Sequence, residues 1–234
     1  MKENTYSKSK IDTFKKCKLQ YKLKYIDKIK LPQPHSDDLQ FGGWIHKVLE
    51  DYDPDKNNLK EVVKYQRDYD IRGRDYKKAM PETFKNAVEF TKKFWKYPRQ
   101  AEERITYKDD SVNINGIVDL RMEQGDYLLV VDYKSSKSPN AQRHEYQMKM
   151  YAFMLSKIHD IPAEKIRCMI YYPRIDAYDR YQFSSGELKE FERELIGDIA
   201  KIELTTDSFP AEPGYHCRWC PYLDTGYCSK GQMP

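Results

Sequence analysis

Gly116-Ile117-Val118-Asp119 and Leu128-Leu129-Val130-Val131-Asp132-Tyr133-Lys134 decide how this chain is read. Their apolar runs read as strands, and Gly125-Asp126 between them is a strong hairpin turn signal. Pairing would set Asp119 and Asp132 on neighbouring strands. Asp132 and Lys134 are two apart on extended chain, so both side chains leave from the same face. A strand that served only a core would carry neither. Two carboxylates with a backbone carbonyl suit a hard divalent cation such as Mg²⁺ or Mn²⁺. A lysine beside such a site can orient or deprotonate water and steady a phosphate. Taken alone, however, Asp-x-Lys is also what a solvated ion pair at the end of any hairpin looks like.

The 234 residues suffice for one large or two small domains, and one domain with appendages is expected. With 39% hydrophobic and 33% charged residues the composition is that of a soluble globular protein, and no run of about 18 apolar residues exists to span a bilayer. Met1 to Asn4 lead into a Lys-studded amphipathic stretch without the apolar centre of a secretion signal, which predicts a cytoplasmic protein. Its five cysteines, three of them crowded between Cys217 and Cys228, then favour metal or cluster binding over disulfides. The net charge of +4 is unevenly spread: residues 1–30 hold ten Lys against Glu3, Asp12 and Asp27, a local balance of +7. Lys8, Lys15, Lys22 and Lys24 are the candidate contacts to a phosphate backbone, against the plainer reading of a solvated helix face.

Apolar spacing predicts a helix from the serines at 7 and 9 to about Ile26, with Ile11, Phe14, Cys17, Tyr21 and Tyr25 inward. Pro32 and Pro34 break the chain, and His35 to Leu39 reads as a loop. A second helix, Phe41 to Glu50, buries Phe41, Trp44, Ile45, Val48 and Leu49 and carries His46 beside that stripe. Residues 55–97 read as helical with a turn at Ile71 to Arg74, and a first strand opens near Glu102, Glu103, Ile105 and Tyr107. After the hairpin come a helix from Arg143 to Lys157, a strand from Ile166 to Tyr172 that completes the sheet, and a helix from Ser185 to about Leu204. On the Arg143–Lys157 helix Gln147 and Tyr151, four apart, share a face.

An acid on one strand followed on the next by acid-x-lysine resembles the PD-(D/E)xK nuclease superfamily, with Gly-Ile-Val-Asp119 where that family has Pro-Asp and Asp132 where Glu is commoner. Gly42 to Glu50 resembles the Gly-x-x-x-His-x-x-Leu-Glu of its RecB-like branch, and Gln147-x-x-x-Tyr151 is similar to a motif of the RecB-like and CRISPR-adaptation nucleases. The resemblance implies a restriction-endonuclease-like α/β core, a mixed sheet flanked by helices. It implies that His46, Asp119, Asp132 and the Tyr133 carbonyl hold Mg²⁺ or Mn²⁺, that Glu103 is a third acid, that Lys134 manages the attacking water, and that Gln147 and Tyr151 touch DNA or steady the lysine. It also implies that Cys17 joins Cys217, Cys220 and Cys228 around a [4Fe-4S] cluster, although Lys18 stands where the usual proline would follow the first cysteine. A structural zinc site drawing on His216 is the alternative.

The chain so read is a single RecB-like nuclease domain: 1–97 mainly helical, 98–205 the nuclease core, 206–234 a cysteine clamp joined to Cys17. The expected activity is that of a metal-dependent deoxyribonuclease, an exonuclease on single-stranded or end-exposed DNA in recombination, repair or DNA processing. Its partners would be DNA and a helicase or a recombination or integration protein. The competing reading is a non-catalytic iron–sulfur or zinc module that binds DNA and partners a helicase or integrase.

Overall fold

The computed structural model describes residues 4–32 and 35–228; Met1 to Glu3 and Pro34, used in the sequence reading, lie outside the described residues. The α/β architecture is present as a five-stranded mixed sheet flanked by helices. The strands lie in chain order: β1 (Arg99–Lys108), β2 (Asn113–Gln124), β3 (Tyr127–Tyr133), β4 (Ile166–Tyr172) and β5 (Ala177–Gln182). β2 and β3 form the predicted hairpin, antiparallel with Leu120 opposite Val131 and Gln124 opposite Tyr127. It closes at Gly125, whose φ of +61° is a conformation glycine adopts without strain. β3 and β4 run parallel, which demands a crossover, and α6 (Ala141–His159) supplies it.

β5 departs from the expectation that the sheet ends at Tyr172. It pairs antiparallel with β4 and contains no fully buried side chain. Main-chain bonding to β4 holds this edge strand, and Asp179 and Arg180 mask it from an apolar-pattern reading while discouraging further strand pairing.

The chain packs as two compact units. One comprises Ser36–Thr106 and Gly116–Phe191. In it α3 (Asp37–Asp51) begins earlier than the apolar stripe predicts, because Ser36 caps it and Asp37 and Asp38 sit in its positive first turn. After the short α4 (Leu59–Val62), Phe90 of α5 (Arg74–Phe94) packs with Phe41, Trp44, Ile45, Val48 and Leu49 of α3 against Leu120, Met122, Val131, Tyr133, Met169 and Tyr171 of the sheet. The opposite sheet face, with Val130, Cys168 and Ile170, is covered by α6; the Cys168 thiol contacts the Met148 carbonyl at 3.7 Å.

The other unit holds the described residues of 1–35, 107–115 and 192–234. The single helix expected to reach Ile26 is broken. α1 (Lys8–Lys16) stops at Cys17, whose backbone is extended; Cys17 then caps α2 (Lys18–Tyr21) through its sulfur, and a π-helical turn follows over Lys22–Ile26. Leu19 N–H donates to the Pro210 carbonyl at 3.2 Å and the Tyr222 hydroxyl to the Ile29 carbonyl at 2.9 Å, so residues far apart in sequence pack together here. α7 (Ser185–Glu203) passes through both units and buries Leu188, Phe191, Leu195, Ile199 and Ile202, as its spacing predicts.

Three of the four lysines singled out for phosphate binding are ion-paired within the protein: Lys8 with Asp12 at 2.7 Å, Lys15 with Asp198, and Lys22 with Asp27 at 2.6 Å. Lys24 lies over the Tyr25 ring. Asp12 and Asp27 are already counted in the +7 balance, so of these partners only Asp198, from outside the stretch, lowers its field further. Among the described residues no helix is long and apolar enough to cross a membrane.

Candidate active site

The hairpin register carries Asp119 and Asp132 to facing positions one step beyond the Leu120–Val131 pair. Both are nearly out of water, 9% and 2% exposed. Burial first, and the charge of Asp132 second, push the Asp119 carboxyl well above the usual carboxylate range, although the Tyr133 N–H donates to its Oδ2 at 2.7 Å and opposes the shift. Asp132 Oδ1 accepts from the Gln147 amide at 2.6 Å. Its Oδ2 has Lys134 Nζ at 2.5 Å as an ion-pair partner yet no well-angled hydrogen bond, so a buried acceptor is left with capacity.

Gln147 and Tyr151 act as a pair, as their spacing predicted, and the contact is to the acid rather than to the lysine. The Gln147 amide also donates to the Tyr151 hydroxyl at 3.0 Å, and that hydroxyl donates to the Ile117 carbonyl at 2.6 Å. Desolvation pushes the Tyr151 phenol far upward, which keeps it a donor. Gly116 leaves the space for this ring: a Cβ there would stand 3.0 Å from Tyr151 Cε1. One turn of α6 thus fixes Asp132 and ties the helix to β2.

His46 reaches the strand ends from α3. Its Nε2 lies 3.0 Å from the Tyr133 carbonyl, and since a carbonyl only accepts, Nε2 carries the proton. Burial lowers the pKa of the ring. The neutral ring therefore keeps a lone pair on Nδ1, the atom 3.6 Å from Asp119 Oδ2. The Tyr133 carbonyl, expected as a ligand, spends one lone pair on His46 and retains the other.

The third acid is where sequence and structure part. Glu103 grips Arg121, with 2.5 Å from Arg121 Nε to Oε2 and 3.3 Å from Nη2 to Oε1. Glu102, not singled out in the sequence, stands instead with His46 and Asp119, each offering a ligand atom within 4.8 Å of the others. Its backbone is left-handed, φ +48°, inside β1. A non-glycine residue in that region is strained, such strain concentrates at functional sites, and nothing in the one-letter code announces it. One nitrogen and two carboxylates form a hard donor set that fits a small divalent cation.

The four cysteines of the predicted clamp line one cavity in the other unit, together with Leu23 and Tyr222. Backbone N–H groups point at their sulfurs: Gln20 N to Cys17 at 3.5 Å and Gly214 N to Cys217 at 3.4 Å. Burial pushes the Cys220 thiol up, and the Tyr222 and Leu223 amides pull against it. Among the described residues no three of these sulfurs lie within 4.8 Å of one another. His216 Nε2 is buried without a hydrogen-bond partner. Cys168 is apart from the set, its thiol pushed up to about 12 by burial alone.

The chain belongs to the PD-(D/E)XK nuclease superfamily, whose sequence model matches residues 5–225. That family is one of metal-dependent nucleases, and nuclease chemistry is the class this fold and site define. Among solved structures the chain is similar to a candidate exonuclease from Eubacterium rectale, with a TM-score of 0.54 and 12% identity over 85% of this chain and 80% of that one. It also matches SSO0001, at 0.43 and 13% over 92% and 94%, and LHK-Exo in complex with dAMP, at 0.34 and 11% over 71% and 91%. The first likeness is one of fold, and the other two add nothing to it. No curated protein matches the sequence.

Tyr151→Phe removes the hydroxyl that serves both Ile117 and Gln147, leaving the Ile117 carbonyl and the Gln147 amide each without that partner. Stability from urea unfolding should fall by about 1–3 kcal/mol with the m-value unchanged.

Because the folded Asp119 pKa lies above its unfolded value of about 3.9, the folded metal-free protein keeps a proton that the unfolded chain has already lost. Its contribution to stability therefore declines as pH rises from about 4 through the folded pKa. His46, lowered from about 6.5, contributes with the opposite sign below that pH. Asp119→Asn should remove the declining share and raise the urea midpoint of metal-free protein at pH 7, whereas a variant midpoint equal to the parent's at pH 7 would contradict the buried-pair reading.

Proposed function

We propose that this site hydrolyses DNA phosphodiesters with Mg²⁺ or Mn²⁺, and that the protein is an exonuclease on single-stranded or end-exposed DNA, serving recombination, repair or DNA processing in the cytoplasm. One observation carries the reading: Lys134 is ion-paired to Asp132 directly beside the His46, Glu102 and Asp119 donor set. The cation, when bound, supplies Lewis acidity toward phosphate and water. His46, Glu102 and Asp119 would hold it, with Asp132 and the free lone pair of the Tyr133 carbonyl completing the set.

The rest of the work belongs to this chain's own groups. Gln147 and Tyr151 fix the Asp132 carboxylate, so the acid meets substrate without reorganising. Lys134, tethered by that carboxylate, orients the attacking water and offsets negative charge growing on the phosphoryl oxygens. Burial on the Asp119 and Asp132 side excludes bulk water, which strengthens both effects. Lys24, and Lys8, Lys15 and Lys22 beyond their ion pairs, add long-range attraction for the phosphate backbone.

In the same proposal Cys17, Cys217, Cys220 and Cys228 hold a [4Fe-4S] cluster that clamps both ends of a single nuclease domain. The four cysteines lining one cavity support it. A cluster is tuned by N–H donors to sulfur, such as those of Gln20 and Gly214.

Lys134→Ala should cut cleavage of end-labelled DNA in Mn²⁺ by about 10²–10⁴ while DNA binding persists, and Asp119→Ala or Asp132→Ala should abolish it. Cleavage by Lys134→Ala at the parent rate would remove the site from the chemistry. Degradation of covalently closed circles as fast as linear DNA would leave a nuclease but not an exonuclease.

Protein purified without oxygen should be brown and absorb broadly near ~400 nm. Cys17→Ala should lose that absorbance and Cys168→Ala keep it. Colourless protein carrying stoichiometric zinc decides for the zinc site.

A further inference from the structure

Beyond Lys134 the chain runs through Ser135, Ser136, Lys137 and Ser138 into α6. This loop, the first turn of α6 and Arg174 at the β4–β5 turn line a cavity of ≈ 620 Å³. Of the candidate active-site residues, Lys134 is the one on its wall. The cavity is therefore continuous with the reacting end of the site but separate from the carboxylate cluster.

Two of its cations are uncommitted. Lys137 and Arg143 are exposed, and among the described residues neither charged group has a hydrogen bond or an ion pair. Arg174 is half-buried and held flat against two rings, its guanidinium carbon 5.1 Å from the Phe41 centroid and 4.6 Å from that of Tyr76, and its Nε is buried without a partner. Two acids share the lining, Asp38 and Asp75. Asp38 accepts from the Tyr76 hydroxyl and keeps its charge, so Lys137, Arg143 and Arg174 outnumber the two acids by one. Asn140 caps α6 through the Arg143 N–H at 3.1 Å, so the positive end of a 19-residue helix adds its field on the same wall. Such a lining selects an anion. The volume exceeds what a lone inorganic ion fills and matches a nucleotide.

We propose that this cavity is a second phosphate subsite, which takes the nucleotide adjoining the scissile phosphodiester and binds its phosphate through Lys137, Arg143 and Arg174. The inference rests on Lys134 standing at the reacting phosphate. It deepens that reading, because a strand held at two successive phosphates has its register against the active site fixed without any base being read.

The test uses the full chain with Lys137→Gln and Arg143→Gln combined. Both side chains are exposed, so circular dichroism should match the parent. Fluorescence anisotropy with a labelled oligothymidylate in EDTA across a salt series reads binding with no chemistry. The double variant should bind about tenfold or more weakly, and its salt slope should drop by roughly 1.4, two single-strand contacts at about 0.7 each. In Mn²⁺, KM should rise in step while kcat at saturating DNA stays within about twofold, whereas Lys134→Ala should show the reverse split. A single neutral methylphosphonate at the linkage next to the cleaved bond should cost the parent about tenfold in KM and cost the double variant little, because both changes remove one interaction. Affinity and slope equal to the parent's, or a parent that binds the oligonucleotide without salt dependence, would overturn the subsite. Should the parent bind but cleave no DNA in any divalent metal, the nuclease reading fails while the anisotropy comparison still decides the cavity.

Discussion

Asp119 and Asp132 face each other across a strand pair with little water to screen them, and much of the surrounding structure answers the repulsion this creates. A main-chain N–H from Tyr133, an amide from Gln147 and the Lys134 ammonium each offset part of the charge, yet Asp119 remains displaced toward its protonated form. Two buried carboxylates set against each other are inexplicable as a device for stability. It makes sense as a site prepared for a positive charge, since a divalent cation converts the repulsion into attraction. The lowered pKa of His46 acts in the same direction by keeping its nitrogen available.

How far the sequence told this in advance depended on how local each rule is. Strand alternation acts over two residues, so the common face of Asp132 and Lys134 could be read directly; helical spacing acts over four, so Gln147 and Tyr151 could be paired. The hairpin followed from Gly125, where a positive φ was needed. Glu102 and Glu103 could not be told apart, because the choice is made by a backbone torsion and by Arg121, a partner on another strand. β5 was missed since its order comes from main-chain pairing with β4 and not from buried side chains. The break at Cys17 hides inside an unbroken apolar period, and the pairing of Lys15 with Asp198 joins residues nearly the whole chain apart.

The fold has the same selective memory. At 12% identity to the Eubacterium rectale protein, few individual side chains are shared, while the order of elements is kept over most of both chains. A mixed sheet with one face under α3 and α5 and the other under α6 requires only apolar character at the inward positions, and many sequences satisfy that. Polar groups that must meet at fixed distances have no such freedom. The Ile117, Tyr151, Gln147 and Asp132 chain is of that kind, and it uses a glycine at 116 for clearance alone.

The left-handed residue in β1 bears on how fast the site trades its ion. Asp119 is buried and His46 half-buried, whereas Glu102 is exposed and held in a conformation the backbone would relax if released. In the site as proposed, a cation would have His46, Asp119, Asp132 and the Tyr133 carbonyl as fixed donors on the protein side and Glu102 as one yielding donor on the solvent side. Release would then begin by detaching Glu102, which relieves strain as it loses a ligand. Quick exchange from such a seat would let occupancy follow the free concentration of the surrounding metal pool and not the history of the molecule's folding.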